Sequence, residues 1–454
     1  MIKRFIKKIP KVSQIINERD DLRLKAGKLI DETNKLIEQK TKLTEDLKSK
    51  ENQISLYKNK IYDLTSPIKS QEYKTVTDPL FSITSDDFKA NYLHIGKLIS
   101  KPRKAVWFLP KFDHISYGGI YTIFRFIEKF SIEGVHNTIV LYSNSVESID
   151  DITMYTTQIK ENFPRLNNFT IIMFNPRFDS INNLPSSDVA VCTLWTTAYL
   201  LLKYNKTNDK YYFIQDFEPS FVAAGSVYAL TESTYRFGFK GIVNTPGLEE
   251  SIKSQYKMVT TSFIPVVDRK YYFPSKQRKT HGVVRIFFYA RPTKERNAFV
   301  LGAEVIKSLK AKYGDAVEII TAGSKWDEEK YGLGGLITNI GLLNTLSEVG
   351  DLYRSCDISF SFMLSRHPSY QPFELMSCGV AYVCNKNEYN EWFLKDGVNC
   401  LVSEPSPNLI VESISHLVDD SDLRNEIAKG GESSVPNGTW DDVTMRVWSD
   451  LYDK

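Results

Sequence analysis

Two stretches of this 454-residue chain place charged side chains where an apolar, strand-like run gives way to a helix. The first, FFYARPTKERNAF, brings Arg291, Lys294 and Arg296 together just after the run Arg285–Tyr289. Cations at such a handover suit a diphosphate, because guanidinium forks bind phosphate oxygens in pairs. A solvated basic loop has the same composition, so the motif alone leaves both readings open. The second stretch, SRHPSYQPFELMSCGVAYVCN, follows the run Asp357–Phe362 and sets Pro372 in the first turn of a helix that Gly379 ends. The N–H groups and dipole of that helix start attract phosphate. Glu374, one turn inside, can accept from a sugar hydroxyl or merely offset the dipole.

The first half of the chain offers candidates of another kind. In FLPKFDHISYGGIYTIFRF, Gly118 and Gly119 stand between a strand and its helix, where a bare backbone can approach a ligand. Asp113 and His114 share that loop, and Asp216 and Glu218 follow the strand YYFIQ. Any of these is a candidate general base. Each also has a plainer role: His114 as a loop histidine bonded to backbone, Glu218 as a turn stabiliser before Pro219, and His367-Pro368 as loop shape. The sequence contains no G-x-x-x-x-G-K-[ST] and no H-E-x-x-H, and Gly332-Leu333-Gly334-Gly335 does not complete G-x-G-x-x-G. Asp420-Ser421-Asp422 is explained better by helix capping than by chelation, so no metal is expected.

These residues need parallel strands to carry them. In the first half the apolar runs are Ala105–Leu109, Thr138–Tyr142, Thr170–Phe174, Val189–Thr193, Tyr211–Gln215, Gly241–Asn244 and Phe263–Val267. A second series comprises Arg285–Tyr289, Val317–Thr321, Leu336–Ile340, Asp357–Phe362, Ala381–Asn385 and Cys400–Val402, with helices over Ala298–Lys312, Leu346–Ser355 and Leu409–Leu417. Alternation of this kind marks βαβ units. Two doubly wound sheets in tandem would turn their strand ends toward a shared cleft, the default ligand site. Trp440, Val443, Val447 and Leu451 predict a last helix, either crossing back to the first half or closing the second domain.

Composition excludes several classes. With 42% hydrophobic and 25% charged residues the chain is neither disordered nor fibrous. Its longest uncharged apolar stretch, Val189 to Leu202, is too short and too threonine-rich to span a bilayer. The five cysteines form no C-x-x-C pair and read as buried thiols. No basic surface is spread over the globular part, which argues against nucleic acid. A cytoplasmic protein is expected.

Ahead of the globular part, Leu22, Leu29, Leu36 and Leu43 follow Ile15 at seven-residue steps, a seam that stays on one face only when helices supercoil. The intervening set is poor at Arg19, Ala26, Thr33 and Lys40 and good at Leu47, Ile54 and Ile61. Some fifty residues of helix, about 75 Å, would end before Pro67. The seam reads as a homo-oligomerisation rod, with a helix folded back on its own domains as the alternative. The leading MIKRFIKKIPK reads equally as an interfacial membrane anchor, which would hold the protein at the inner face of the membrane, or as a solvated end. The expected organisation is therefore 1–11 basic terminus, 12–66 coiled coil, 67–103 connector, 104–268 and 269–436 Rossmann-like domains, and 437–454 final helix.

Taken together, GGI, ARPTKER, GLL…LYRSCDISFSF and PFELMSCGVAYVCN resemble the retaining, two-Rossmann (GT-B) glycosyltransferases of family 4. More narrowly, YYFIQDFEPSF, SVYALTESTYRFGFKGIVNTPG, ARPTKERNAF and HPSYQPFELM resemble the bacterial rhamnosyltransferases that build surface polysaccharides and S-layer glycans. The resemblance spans roughly residues 104 to 454. It implies an α/β fold of two Rossmann-like domains and transfer of a sugar, L-rhamnose from dTDP-L-rhamnose, to a hydroxyl of a glycan or lipid-linked glycan with retention and without a metal. It implies a diphosphate clamp by Arg291 and by Arg296, which replaces the family's usual lysine, with Lys294 beside them. Of the family's paired glutamates Glu374 matches the second, on the ribose. The first position holds Arg366, a departure that shifts donor-sugar contacts to His367, Ser369 and Tyr370. Gly118 and Gly119 match the glycine loop, with Asp113 and His114 beside it, and the acceptor falls to Trp195, Asp216 and Glu218. The alternatives are an epimerase or a transferase with another hexose donor, and a non-catalytic scaffold built around the rod.

Overall fold

A computed structural model of the protein describes residues 10–65, 75–97, 100–115, 118–143, 149–275 and 282–453. Most of the basic terminus, 1–9, and the first part of the connector, 66–74, lie outside the described residues. Helix α1 (Pro10–Thr65) is continuous over 56 residues and starts at a proline, which a first helical turn accommodates because its N–H has no partner there anyway. At about 1.5 Å per residue it is roughly 84 Å long. Ile15, Leu22, Leu29, Leu36 and Leu43 on its seam are 62–68% exposed.

The rest forms two parallel sheets. The N-terminal lobe begins inside the stretch read as a polar connector. Leu80 and Phe81 are buried against the first sheet, and helix α2 (Ser85–Tyr92), started by a Thr84 capping box with Asp87, follows them. Strand β1 (Lys104–Pro110) leads through α3 (Gly118–Ile132) to β2 (His136–Tyr142), then α4 (Ile149–Asn162), β3 (Phe169–Phe174) and β4 (Val189–Cys192). After α5 (Trp195–Lys203) come β5 (Asp209–Ile214), α6 (Ser226–Ser233), β6 (Lys240–Asn244), α7 (Pro246–Tyr256) and β7 (Thr260–Phe263). The sheet order is β3-β2-β1-β4-β5-β6-β7, all parallel. Central strands buried on both faces explain why the runs read as continuously apolar. The last strand ends where the expected Phe263–Val267 begins. Pro265 has no N–H for the ladder, and Val266 and Val267 are buried as the chain leaves the sheet.

The C-terminal lobe runs β8 (Val284–Tyr289), α8 (Phe299–Tyr313), β9 (Val317–Ala322), β10 (Thr338–Asn339), α9 (Leu346–Arg354), β11 (Ile358–Ser361), α10 (Gln371–Ser377), β12 (Ala381–Asn385), β13 (Leu401–Ser403), α11 (Pro407–Asp419) and α12 (Ser421–Ser434). Its order is β10-β9-β8-β11-β12-β13. The edge strand β10 has two residues rather than the expected Leu336–Ile340, because Gly335 and Gly341 take left-handed conformations on either side of it. Asp420 caps α12, accepting from the Asp422 and Leu423 N–H groups at 2.9 Å. All five cysteines are buried free thiols. Helix α13 (Trp440–Tyr452) crosses back to the first lobe, burying Val443, Val447 and Trp448 in the core of Trp107 and Phe130.

Candidate active site

The basic loop after β8 meets the N-terminal lobe. Arg296 lies over the Phe221 ring, 4.2 Å from its centre, and leaves the in-plane N–H groups of its guanidinium available. Arg291 donates to the Tyr289 hydroxyl at 3.4 Å, and its stem packs beside Gly323, whose left-handed turn after β9 leaves room for it. Burial and the repulsion of Arg291 and Arg296 hold Lys294 below its ordinary pKa, so the cations share one electrostatic environment. Neither Lys294 nor Arg296 makes an ion pair among the described residues.

The segment from Ser365 to Tyr370, between β11 and α10, ties the lobes together. Ser365 donates to Asp216 at 2.8 Å. Tyr370 reaches into the N-terminal lobe, where its hydroxyl lies 2.8 Å from Thr122 Oγ1 and accepts from Asn244 Nδ2 at 2.8 Å. Its ring occupies the space over Gly118, so that a Cβ there would approach it to 3.2 Å. The glycine pair therefore admits a tyrosine of the opposite lobe at Gly118, while Gly119 accepts from Gln215 through its carbonyl.

Arg366, at the position of the expected glutamate, turns to the lobe contact. It lies between Phe217 of the first lobe and Tyr389 of the second, 3.6 and 5.0 Å from the ring centres, and donates to Gln255 at 2.8 Å and to Ser251. It is a strut. His367, 4% exposed, accepts from the Ser369 N–H at 2.9 Å through Nδ1, which leaves the proton of the neutral ring on Nε2. That Nε2 is buried with no partner among the described residues. Burial, with Arg296 adding to it, lowers the ring to about 3. Ser369 itself is left-handed, at φ 68°.

Glu374 is half-buried. Burial raises its carboxyl to about 8, against a hydrogen bond from Tyr272. A neutral carboxyl at this helix start would not repel a diphosphate.

The carboxylates of the first lobe divide. Asp216 sits at the lobe contact, raised to about 6 by burial and held back by Ser365 and Arg296. Glu218 is 3% exposed, accepts from the Trp195 N–H at 2.6 Å and the Tyr212 hydroxyl at 3.0 Å, and is pushed to about 8 by burial. Its expected place on the acceptor is corrected: it fastens the end of β5 to the start of α5. Trp195 stacks on Phe81 at 5.0 Å. Asp113 is exposed in the loop after β1, while His114 lines a small cavity with Leu342, Leu343, Thr345 and Val349 of the second lobe.

Sequence reasoning missed Asn244 and Thr245. Asn244 Oδ1 and Thr245 Oγ1 are buried without partners among the described residues, and Thr245 has φ 76° and ψ 145°, a costly conformation for a β-branched residue. The available signal was Asn244-Thr245-Pro246-Gly247 directly after a buried strand. Gly247 is required there because a Cβ would overlap the Tyr389 carbonyl.

Residues 109–244 match the family model described as WsaF, N-terminal domain, and residues 284–415 the model described as WsaF, C-terminal domain. The chain carries both WsaF domains. The basic loop, the Ser365–Tyr370 segment and Glu374 fall within the WsaF C-terminal domain; Gly118, Gly119, Trp195, Asp216 and Asn244 fall within the WsaF N-terminal domain. A curated relative, the O-antigen biosynthesis protein RfbC of Myxococcus xanthus, is 39% identical over 348 residues, 76% of this chain and 27% of that protein. The chain thus spans about a quarter of the relative's length. Among solved structures, S. aureus TarM aligns at a TM-score of 0.61 with 11% identity, over 78% of this chain and 99% of its own. Anabaena HepE in complex with UDP and glucose aligns at 0.58 with 12% identity, over 77% and 99%. Sucrose-phosphate synthase from Thermosynechococcus elongatus aligns at 0.57 with 11% identity, over 77% and 98%. The WsaF domains of this chain together have the architecture of the GT-B glycosyltransferases.

Proposed function

We propose that the chain is a family 4 glycosyltransferase that moves L-rhamnose from dTDP-L-rhamnose to a hydroxyl of a growing surface glycan, with retention and without a metal. The observation that carries this reading is the basic loop after β8, where Lys294 and Arg296 lack ion-pair partners among the described residues and Arg296 acts electrostatically on His367 of the same lobe, whose Nε2–H is buried with no partner among those residues. Uncompensated guanidinium and ammonium groups next to an orphaned donor suit an anionic leaving group and its sugar. HepE, crystallised with UDP and glucose, shares the fold, and RfbC is named for O-antigen biosynthesis.

In the mechanism, Arg291, Lys294 and Arg296 stabilise the charge that grows on the diphosphate as its bond to the sugar breaks, a preorganised electrostatic effect. His367 donates to a donor-sugar oxygen from Nε2 and stays neutral while doing so. Ser369 and Tyr370 shape that pocket, and Glu374 meets the ribose. A front-face path lets the departing phosphate oxygen take the acceptor proton. Asp113, His114 and Asp216 then orient the acceptor beside Trp195. Ser365, Arg366 and Tyr370 bridge the lobes, an arrangement that would keep water from the reacting carbon.

The test is a thermal-shift panel of nucleotide sugars, in which ligand at 100 times its Kd stabilises by about 2.7 kcal/mol. A selective shift with dTDP-rhamnose is expected, and no shift with any nucleotide sinks the reading. The exposed leucine seam of α1 is proposed to bind copies of itself, and residues 1–11 the inner membrane face. Deletion of residues 1–66 is expected to give a monomer by light scattering that retains nucleotide binding.

A further inference from the structure

Along α3 from the glycine pair lies a polar cavity of about 190 Å³ to which the function above gives no role. Three elements build it: Tyr121 and Arg125 on α3, Phe163 and Arg165 between α4 and β3, and Trp440 and Asp441 at the start of α13. The crossing of the last helix onto the first lobe creates it. Arg125 is wedged between aromatic rings, its guanidinium carbon 4.8 Å from the centre of Tyr121 and 4.7 Å from that of Trp440. Burial lowers its pKa, with the Tyr121 hydroxyl and Asp268 opposing. No hydrogen bond or ion pair engages this guanidinium among the described residues.

Arg165 is the opposite case. It donates to both oxygens of Asp441, at 2.8 and 2.7 Å, and to Glu128 at 2.9 Å. The Asp441 and Glu128 carboxylates line the cavity beside the unengaged donors of Arg125. The lining charges cancel, since Arg125 and Arg165 stand against Glu128 and Asp441. An anion would meet two carboxylates, and an apolar ligand would strand the guanidinium. A neutral sugar meets neither objection: each hydroxyl both donates and accepts, and its C–H face suits an aromatic wall.

We propose that this cavity binds one neutral pyranose unit of the acceptor glycan. This use of the cavity rests on the transferase reading. Arg125 lies seven residues beyond Gly118 on α3, about 10 Å at the helical rise, so a chain whose terminal hydroxyl is at the lobe contact reaches it with an inner sugar. Arg125 and Asp441 would hold its hydroxyls, with its C–H face against the edge of the Tyr121–Arg125–Trp440 stack.

Saturation-transfer NMR on the full chain without nucleotide, with methyl α-L-rhamnopyranoside and methyl α-D-mannopyranoside as probes, tests this. Transfer to ring protons of at least one glycoside is expected, lost in Arg125→Met and reduced several-fold in Asp441→Asn, each variant retaining its melting temperature and its thermal shift with dTDP. Absence of transfer to both glycosides overturns the proposal, as does transfer that survives both substitutions. Sugar saturation in a protein that no nucleotide shifts would instead leave the cavity standing and sink the transferase reading.

Discussion

The two lobes handle charge at their strand ends in opposite ways. In the first, Glu218 after β5 is enclosed, with each carboxyl oxygen accepting from the protein itself. In the second, the cations after β8 are clustered so that they raise one another's energy, and Lys294 and Arg296 have no ion-pair partner among the described residues. A charged residue beyond a parallel strand is therefore not informative by type. What separates a structural group from a ligand-binding one is whether the fold has already supplied its partner. The Ser365–Tyr370 segment stands between these cases, because Ser365, Arg366 and Tyr370 find their partners across the lobe contact rather than within their own lobe.

The largest effect expected from this contrast is at Arg291. Arg291→Ala should lower turnover by about 10²–10³, the scale of losing one preorganised charge donor, with the melting temperature unchanged. Near-normal turnover would place the clamp elsewhere. Next, Tyr370→Phe removes the hydroxyl shared by Thr122 and Asn244 and leaves the Asn244 amide buried without that acceptor, a cost of about 1–3 kcal/mol in denaturant titration. A smaller change would mean that the lobe contact is optional.

Arg366→Ala should cost about 1 kcal/mol through the lost ring contacts and leave nucleotide affinity within a factor of about two. Lost affinity with unchanged stability would return Arg366 to the donor side. A further effect concerns Glu218 and depends on pH. Its carboxyl is raised from about 4.3 when unfolded to about 8 when folded, so the native state holds the proton more tightly. Its contribution to stability is present below about pH 4.3 and is lost as pH rises toward 8. The difference in melting temperature between Glu218→Gln and the parent should accordingly move in the variant's favour from pH 5 to 8; a difference that is flat with pH would mean the carboxyl is solvated.

Much of the architecture was legible because the sheets are parallel and buried on both faces. Each strand then has to be apolar throughout, and β12 coincides with its expected run Ala381–Asn385. The errors lie at the edges. The strand β7 is displaced because Pro265 cannot pair, and β10 is shortened between left-handed glycines. Leu80 and Phe81 were hidden because two apolar residues in a polar stretch have no periodicity to reveal a buried contact. At the site, Arg291, Lys294 and Arg296 could be found as a group because they are neighbours along the chain. Tyr370 over Gly118 could not, since those residues are brought together only by the approach of two separately folded sheets.

Taken alone, the sequence determined the local terms: the heptad seam of α1, the strand and helix alternation, and the cations and the helix start that end up at the lobe contact. Apolar periodicity and chain proximity act over a few residues, so they can be read in order. The tertiary structure decided which charges keep a partner. Ser365 meets Asp216 across 149 positions, Arg366 turns to Ser251 and Gln255, and Trp440 comes back to wall a cavity with Arg125. Desolvation and pairing depend on what surrounds a group in space, and that is set only when both lobes and the returning helix have packed.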